Sequence, residues 1–573
     1  MFALSSNGAQ LTMKKQSNTW ILILILFNLP PELRCHSKHI IVIFATPGPN
    51  SPGNIESFMR PLFEELAVLG TGIWIWDALD SSYFIFRAHV IMVLGDMLGS
   101  AKMNGMSGHT AIFGDRFSLV QAAKASLKSG SKAQYYPLAP PQSDKYNPTR
   151  PETYDLSNLP IRDQATYWKI LEKLSAPNIK KADIAKISKE TGVSRIPLVA
   201  ALPGFLHPSF FPVDPFHLFY ENCMPFIWDL WTGSKEDDPI HIDTEKIAKF
   251  GELVSTAMKT LPPIFCGTIR NTHLKRQSQY KAYEWMALLH WYILPIGLEL
   301  EFDFSLLRNF SLFAEAVDVA MKISSHSKAS LAQLQDTIHA FLRGYEFLYV
   351  GTNPENVTRS RLCIFQLVHI PQHILWYGSI RNSSQATVER EIGAAGHQIH
   401  SKRDIFANLT NIIIEKEMIR ILQLYEPSLS PSFGTPNTTP NPANASDEDQ
   451  TSERTFSGRV YTRQDDWSEL GVHWDALERC LQHLEPNYTL ERGDIVRFGK
   501  LKLGCPKQTL RSQLGEGNQS DGYNQARSYR WFEVSLKLGS SEVGLICQYR
   551  RVLQLAVMKL GATGLVRHWL FTL

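Results

Sequence analysis

Cysteine is scarce in this chain of 573 residues: there are seven, at Cys35, Cys223, Cys266, Cys363, Cys480, Cys505 and Cys547. Their number is odd and no CxxC occurs. That leaves no legible disulfide framework or cysteine-rich zinc site, and it suits a reducing compartment. A surplus of one charge is missing too. The 58 lysines and arginines stand against 55 aspartates and glutamates, a net charge of +3, so any hold on nucleic acid has to come from local patches. Long apolar runs are also absent. The run Trp20 to Leu29 falls well short of the roughly twenty residues that span a bilayer. It does not read as a secretory leader either, because Asn28-Leu29-Pro30-Pro31-Glu32 follows where a small-residue cleavage site belongs. There is no P-loop, no GxSxG and no HExxH, which removes the commonest signatures of nucleotide, serine-esterase and zinc-protease chemistry.

What is present reads as an α/β start. Phe2 to Ser6 is a short strand; Trp20 to Leu29 and Ile40 to Ala45 are two buried ones. A loop with Pro47, Pro49, Pro52 and Gly53 leads to an amphipathic helix over Ile55 to Leu69, its stripe being Phe58, Leu62, Phe63, Leu66 and Leu69. The aromatic stretch GIWIWDALDSSYFIF reads as a hairpin, and Arg87 to Leu94 as a strand running into Gly95 and Asp96. Strand, strand, strand, helix, strand is an order shared with RNase H-like nucleases. Helical spacing dominates from about Tyr167 to Tyr425. The Ser, Thr, Pro and Asn-rich segment from Pro427 to about Arg454 reads as a linker that cannot bury a core. Beyond it Ile495 to Lys502, Tyr529 to Leu538 and Val543 to Leu555 read as strands of a small module.

The sharpest local string is VDPFHLFYENCMPFIWDLWTG, in which Asp214 and His217 are spaced DxxH. Alone, such a pair is ordinary and reads first as a helix cap. In its setting it resembles the DxxH motif of transposases of the CACTA (En/Spm) class, including their fungal DDE relatives. Further stretches agree in order. NGAQL at Asn7 resembles the family's DGAQL, and NLPPELR with TPGPNSPGNIESFMRPLFEEL resembles its Pro-Gly-Pro loop and helix. LGDMLGSAKMNGMSGH resembles its second acidic motif and ATVEREIG its glutamate motif. Together these cover about residues 1 to 425.

The resemblance implies an α/β RNase H-like core with a mixed sheet, interrupted by a large α-helical insertion and followed by a small β-rich module. The implied boundaries are 1–110 for the first part of the core and 111–375 for the insertion with DxxH. They continue with 376–425 for the remainder carrying the third acid, 426–458 for the linker and 459–573 for the tail. It implies Asp96 and Glu389 as catalytic carboxylates and metal ligands, with Asp214, His217 and Arg390 as associated residues. The cofactor would be Mg²⁺, as two ions, because a pair of cations held by hard carboxylate oxygens aligns water or a 3′-hydroxyl for attack on a phosphodiester. The implied ancestral reaction is DNA cleavage and strand transfer at transposon ends. The implied partner is double-stranded DNA, with self-association as a further option, in nucleus or cytoplasm, with no membrane. Arg270, Lys275, Arg276, Lys402 and Arg403 are candidate phosphate contacts.

Three departures shape the expectation. Asn7 stands where the family has its first Asp, so one anionic ligand becomes an amide with N–H donors; the bland reading is a turn residue before Gly8. After His109 the cysteines of many relatives are missing. Only Met1 to Ser6 precede Asn7, so recognition through a leading DNA-binding segment is not expected. The expectation is a degenerate or truncated transposase, impaired as a catalyst. The alternatives are a non-catalytic DNA- or protein-binding remnant, and a secreted or membrane-anchored protein.

Overall fold

The apolar run at Trp20 is an interior strand of a four-stranded sheet. In chain order the strands are β1 (Phe2–Gln10), β2 (Asn18–Leu26), β3 (Ile40–Ala45), β4 (Ile73–Asp77), β5 (Ser82–Phe86) and β6 (Val90–Leu94). The sheet runs β3-β2-β1-β6, with β1 antiparallel to β2, β2 antiparallel to β3, and β1 parallel to β6. The computed structural model describes residues 1–10, 18–48, 50, 52–124, 134–141, 153–257, 269–275, 280–399, 404–426 and 429, with the backbone of strands between 454 and 572.

Both faces of the sheet are covered, which explains why β2 is apolar throughout instead of alternating. Leu22 and Leu24, with Leu4, pack on Met59, Phe63, Leu66 and Phe210. Ile21, Ile23 and Ile25, with Ala3, pack on Val388, Ile392 and Leu409. The first cover is the helix Glu56–Thr71. Leu62, Phe63 and Leu66 of the expected stripe are buried, while Phe58 lies 40% exposed and Met59 takes its place in the core. The second cover is the helix Ala386–Gln398 with the N-terminal half of the helix Ile405–Tyr425. The expected hairpin forms as β4 and β5, paired only with each other.

Two compact units divide the chain. Met1–Ile247 with Leu288–Tyr425 make the first, Ala248–Ala287 with Glu426–Leu573 the second. Beyond the sheet the first unit is mainly helical; the helices Phe304–Ala320 and Lys328–Tyr345 meet through stacked Phe313 and Phe341, ring centroids 5.4 Å apart. In the second unit six strands form an antiparallel sheet: β7 (Arg454–Tyr461), β8 (Ile495–Leu503), β9 (Gln508–Arg511), β10 (Trp531–Ser535), β11 (Cys547–Leu560) and β12 (Leu565–Thr572). The three tail strands read from sequence overlap β8, β10 and β11, the second and third with bounds that run outside the described residues. Among the described residues no helix is long and apolar enough to cross a membrane.

Candidate active site

Period-two alternation aims the first candidate. On β1, Leu4 faces the helix Glu56–Thr71 and Ala3 faces the opposite cover; Asn7 shares the parity of Ala3 and so points toward the helix that carries Glu389. Asn7 lies inside the strand, paired in register with Ile21, so it is not a turn residue. Ser5 is in register with Leu94 of the parallel strand β6. Two residues further along each chain stand Asn7 and Asp96, brought to one end of the sheet. Gly8, of the other parity, lies against Trp20, where a Cβ would come within 3.2 Å of the indole.

Asp96 caps the helix Met97–Asn104, its carboxylate accepting the Gly99 N–H. A Cβ on Gly99 would stand 2.9 Å from that carboxylate oxygen, so the close approach requires glycine. Asn7 is buried and donates its Nδ2 hydrogen to Glu389 Oε1. Facing a carboxylate, the amide presents nitrogen and not oxygen.

The DxxH pair converges on the same point. Asp214 is buried, and its Oδ1 accepts the N–H groups of Phe216 and Gln385, each at 3.0 Å. Its Oδ2 accepts the His217 N–H at 3.4 Å and meets His217 Nδ1. Asp214 is therefore a cap, as the bland reading has it, and also the tie between the wide helical turn Phe216–Cys223 and the start of the Glu389 helix. His217 Nε2 faces Glu221 at 3.4 Å and Glu389 at 3.7 Å. The result is a continuous chain: Asp214, His217, Glu389, Asn7. Gln385, fully buried, anchors it to the sheet by donating to Ser5 Oγ at 3.0 Å.

The electrostatics follow from these contacts. Burial on its own would lower the His217 pKa. The hydrogen bond and charge of Asp214, with Glu221 and Glu389, reverse that and raise it to about 9, so the imidazole is a cation at neutral pH. Burial raises Glu389, with Glu221 and Asp214 adding repulsion, while His217 and the Asn7 hydrogen bond pull the other way.

A cation that sequence reasoning missed sits nearby. Arg116 is buried, its guanidinium 5.1 Å from the Phe117 ring centroid, and its Nε and Nη1 find no hydrogen-bond partner among the described residues. Burial brings its pKa down to about 10 against the charges of Asp115, Asp96 and Asp214. In sequence GDRFS reads as surface, and nothing local signals a buried arginine. Glu221, one helical turn beyond His217, was findable from its i, i+4 spacing. Beside Arg116, Asp115 bonds His369 Nε2 at 2.9 Å and the Ser118 N–H at 2.8 Å.

Other sequence candidates lie elsewhere. Arg390 donates to the Cys35 carbonyl, away from the acids. Arg270 is paired with the fully buried carboxylate of Glu284, its Nε 2.9 Å from Oε1. Lys275 ends the helix Thr272–Lys275. Arg276, Lys402 and Arg403 lie outside the described residues.

The donor set does not fit a two-cation centre as arranged. Asn7 offers an N–H to the Glu389 oxygen that a cation would need, and the His217 cation faces the same carboxylate. Among the described residues no group of three His, Cys, Asp or Glu side chains is placed to hold a metal. What the site does hold is a mixed sheet in which Asn7, inside an interior strand, donates to a helix-borne glutamate, with Asp96 just past the end of the adjacent strand.

The model for the transposase family tnp2 matches residues 2–138, the segment that holds the whole four-stranded sheet with Asn7 and Asp96. The chain is transposase-like over that segment. No curated protein matches it.

Proposed function

We propose that the chain is a transposase-derived protein of the DDE type, an RNase H-like core with a helical insertion, whose site has lost efficient Mg²⁺-dependent cleavage and strand transfer at transposon ends. One observation carries this reading. Asn7 and Asp96 each lie two residues past the register pair Ser5 and Leu94 on adjacent parallel strands, and Asn7 hydrogen-bonds Glu389, so the position proposed for the first acid is filled by a donor to the proposed third. An amide in place of one of three carboxylates weakens cation binding through lost charge, and its N–H repels a cation approaching the same oxygen.

The test is a nicking assay on transposon-end DNA with Mg²⁺ or Mn²⁺. The chain as written is expected to give no turnover above a variant with Asp96→Ala, and Asn7→Asp is expected to restore cleavage. Robust turnover by the unaltered chain, abolished by Asp96→Ala, overturns the proposal. A second reading, a DNA- or protein-binding remnant, draws support from the internal balance of the site. Glu389 and Asp214 are both answered by His217 and by Asn7 or backbone donors. DNA binding that is salt-sensitive and indifferent to divalent metal favours that remnant.

A further inference from the structure

The helix Ile405–Tyr425 changes sides halfway along. In its first half Ile405 and Leu409 are buried, with Leu409 and Ile413 in the apolar cluster against the sheet, while Thr410 and Asn411 face solvent. In its second half Lys416, Glu417, Arg420 and Gln423 join Ile412, Ile413 and Ile419 in lining a cavity of about 260 Å³ on the side toward β3. The outward side is apolar: Ile414 (51%), Met418 (57%), Ile421 (48%) and Leu422 (52%) are about half exposed, Leu424 and Tyr425 more. A helix serving only its own core would not leave so many large apolar side chains in solvent.

We propose that the second half of this helix is a homotypic contact, pairing two copies of the chain through a coiled-coil seam of Ile414, Met418, Ile421 and Tyr425. Three observations favour a second copy. The spacing of these residues is four, three, four, the alternation that keeps a seam facing an equivalent helix. Ile414 and Ile421 then take one core position of the heptad, and Met418 and Tyr425 the other. The flanking positions bring no like charges together in a parallel pair. Glu417 falls opposite Leu422 of the second copy, and Thr410 opposite Glu415. Area is the third. Exposed side chains of this size offer roughly 100 Å² each, so the six outward residues supply about 600 Å² per copy. That reaches the lower bound of about 1,200 Å² in total for a specific interface. This contact is independent of the acid site and of its chemistry.

The test is the oligomeric state of the full chain by analytical ultracentrifugation. The expected result is a monomer–dimer equilibrium that the double substitution Ile414→Glu with Ile421→Glu shifts to monomer and Ile414→Leu with Ile421→Leu preserves. A wild-type chain that is monomeric throughout, or a dimer that survives the glutamates, overturns the proposal. Hydrogen exchange of the unaltered chain keeps the test independent of how the variants fold. Protection of residues 411–425 is expected to fall on about a hundredfold dilution. Protection that is constant with concentration, as cover by the chain's own tail would give, overturns it.

Discussion

Asn7 is the residue on which the proposed function turns, and its consequences can be read without assaying DNA at all. Replacing it by aspartate removes a donor to Glu389 and sets a second negative charge against a carboxylate already raised by burial. We expect Asn7→Asp to cost about 1–3 kcal/mol in the absence of divalent ions, with Mg²⁺ recovering much of the loss. The unaltered chain should melt at nearly the same temperature with and without Mg²⁺. Thermal melts of both proteins in chelator and in Mg²⁺ check this, and a variant no less stable than wild type would count against the Asn7–Glu389 contact. Asp214 governs the neighbouring charge. With Asp214→Asn the strongest attractive partner is lost while burial, Glu221 and Glu389 remain, so the His217 pKa is expected to fall from about 9 toward the ordinary value near 6.5. The imidazole resonances followed by NMR against pH report it directly.

Individual elements show what a sequence can and cannot convey. The strands β2, β3 and β6 and the hairpin β4–β5 are legible because each carries its pattern locally, and β2 betrays its burial on both faces by the unbroken run WILILIL. The extension of β1 from Ser6 to Gln10 is not legible, since SNGAQ is polar and is held in the sheet by pairing with β2. The meeting of Asp214 and His217 with Glu389 is equally hidden, because it depends on how distant elements pack. Truncation in β2 tests the doubly covered strand: Ile23→Ala should cost about 2–5 kcal/mol, and a urea titration measures it. The segment around Asp115 gives a pH prediction. Burial alone would raise this carboxyl, but the charge and hydrogen bond of His369, with Ser118 and Arg162, hold it far below the usual carboxylate range. A depressed acid stabilises the fold above its unfolded pKa and loses that contribution as pH falls through the folded value. Its stabilisation is therefore complete above about pH 4, and only strong acid removes it. With Asp115→Asn the wild-type advantage, about 3–5 kcal/mol for a broken buried pair, should persist from pH 7 down to pH 4 and shrink below it.

At the scale of the whole molecule the near-balance of charge decides how the chain can meet DNA. A net charge of +3 supplies no long-range field, so attraction has to come from a few exposed cations, and one of the obvious ones is spoken for. Arg270 has its guanidinium committed to Glu284, a carboxylate with no exposed surface. Removing it strands a buried charge, which costs about 3–5 kcal/mol, whereas the phosphate attraction it could add is already cancelled by its partner. Arg270→Ala is therefore expected to lower the unfolding midpoint markedly while leaving affinity for duplex DNA within about twofold, measured well below that midpoint. If about three phosphates are neutralised by the remaining cations, log K against log salt should slope near −2.7, a loss of roughly fortyfold over a fourfold rise in salt. Fluorescence anisotropy with labelled duplex gives both numbers. A loss of binding on removing Arg270 from a chain still folded, with a slope shallower by about 0.9, would mean that this guanidinium leaves Glu284 to engage DNA.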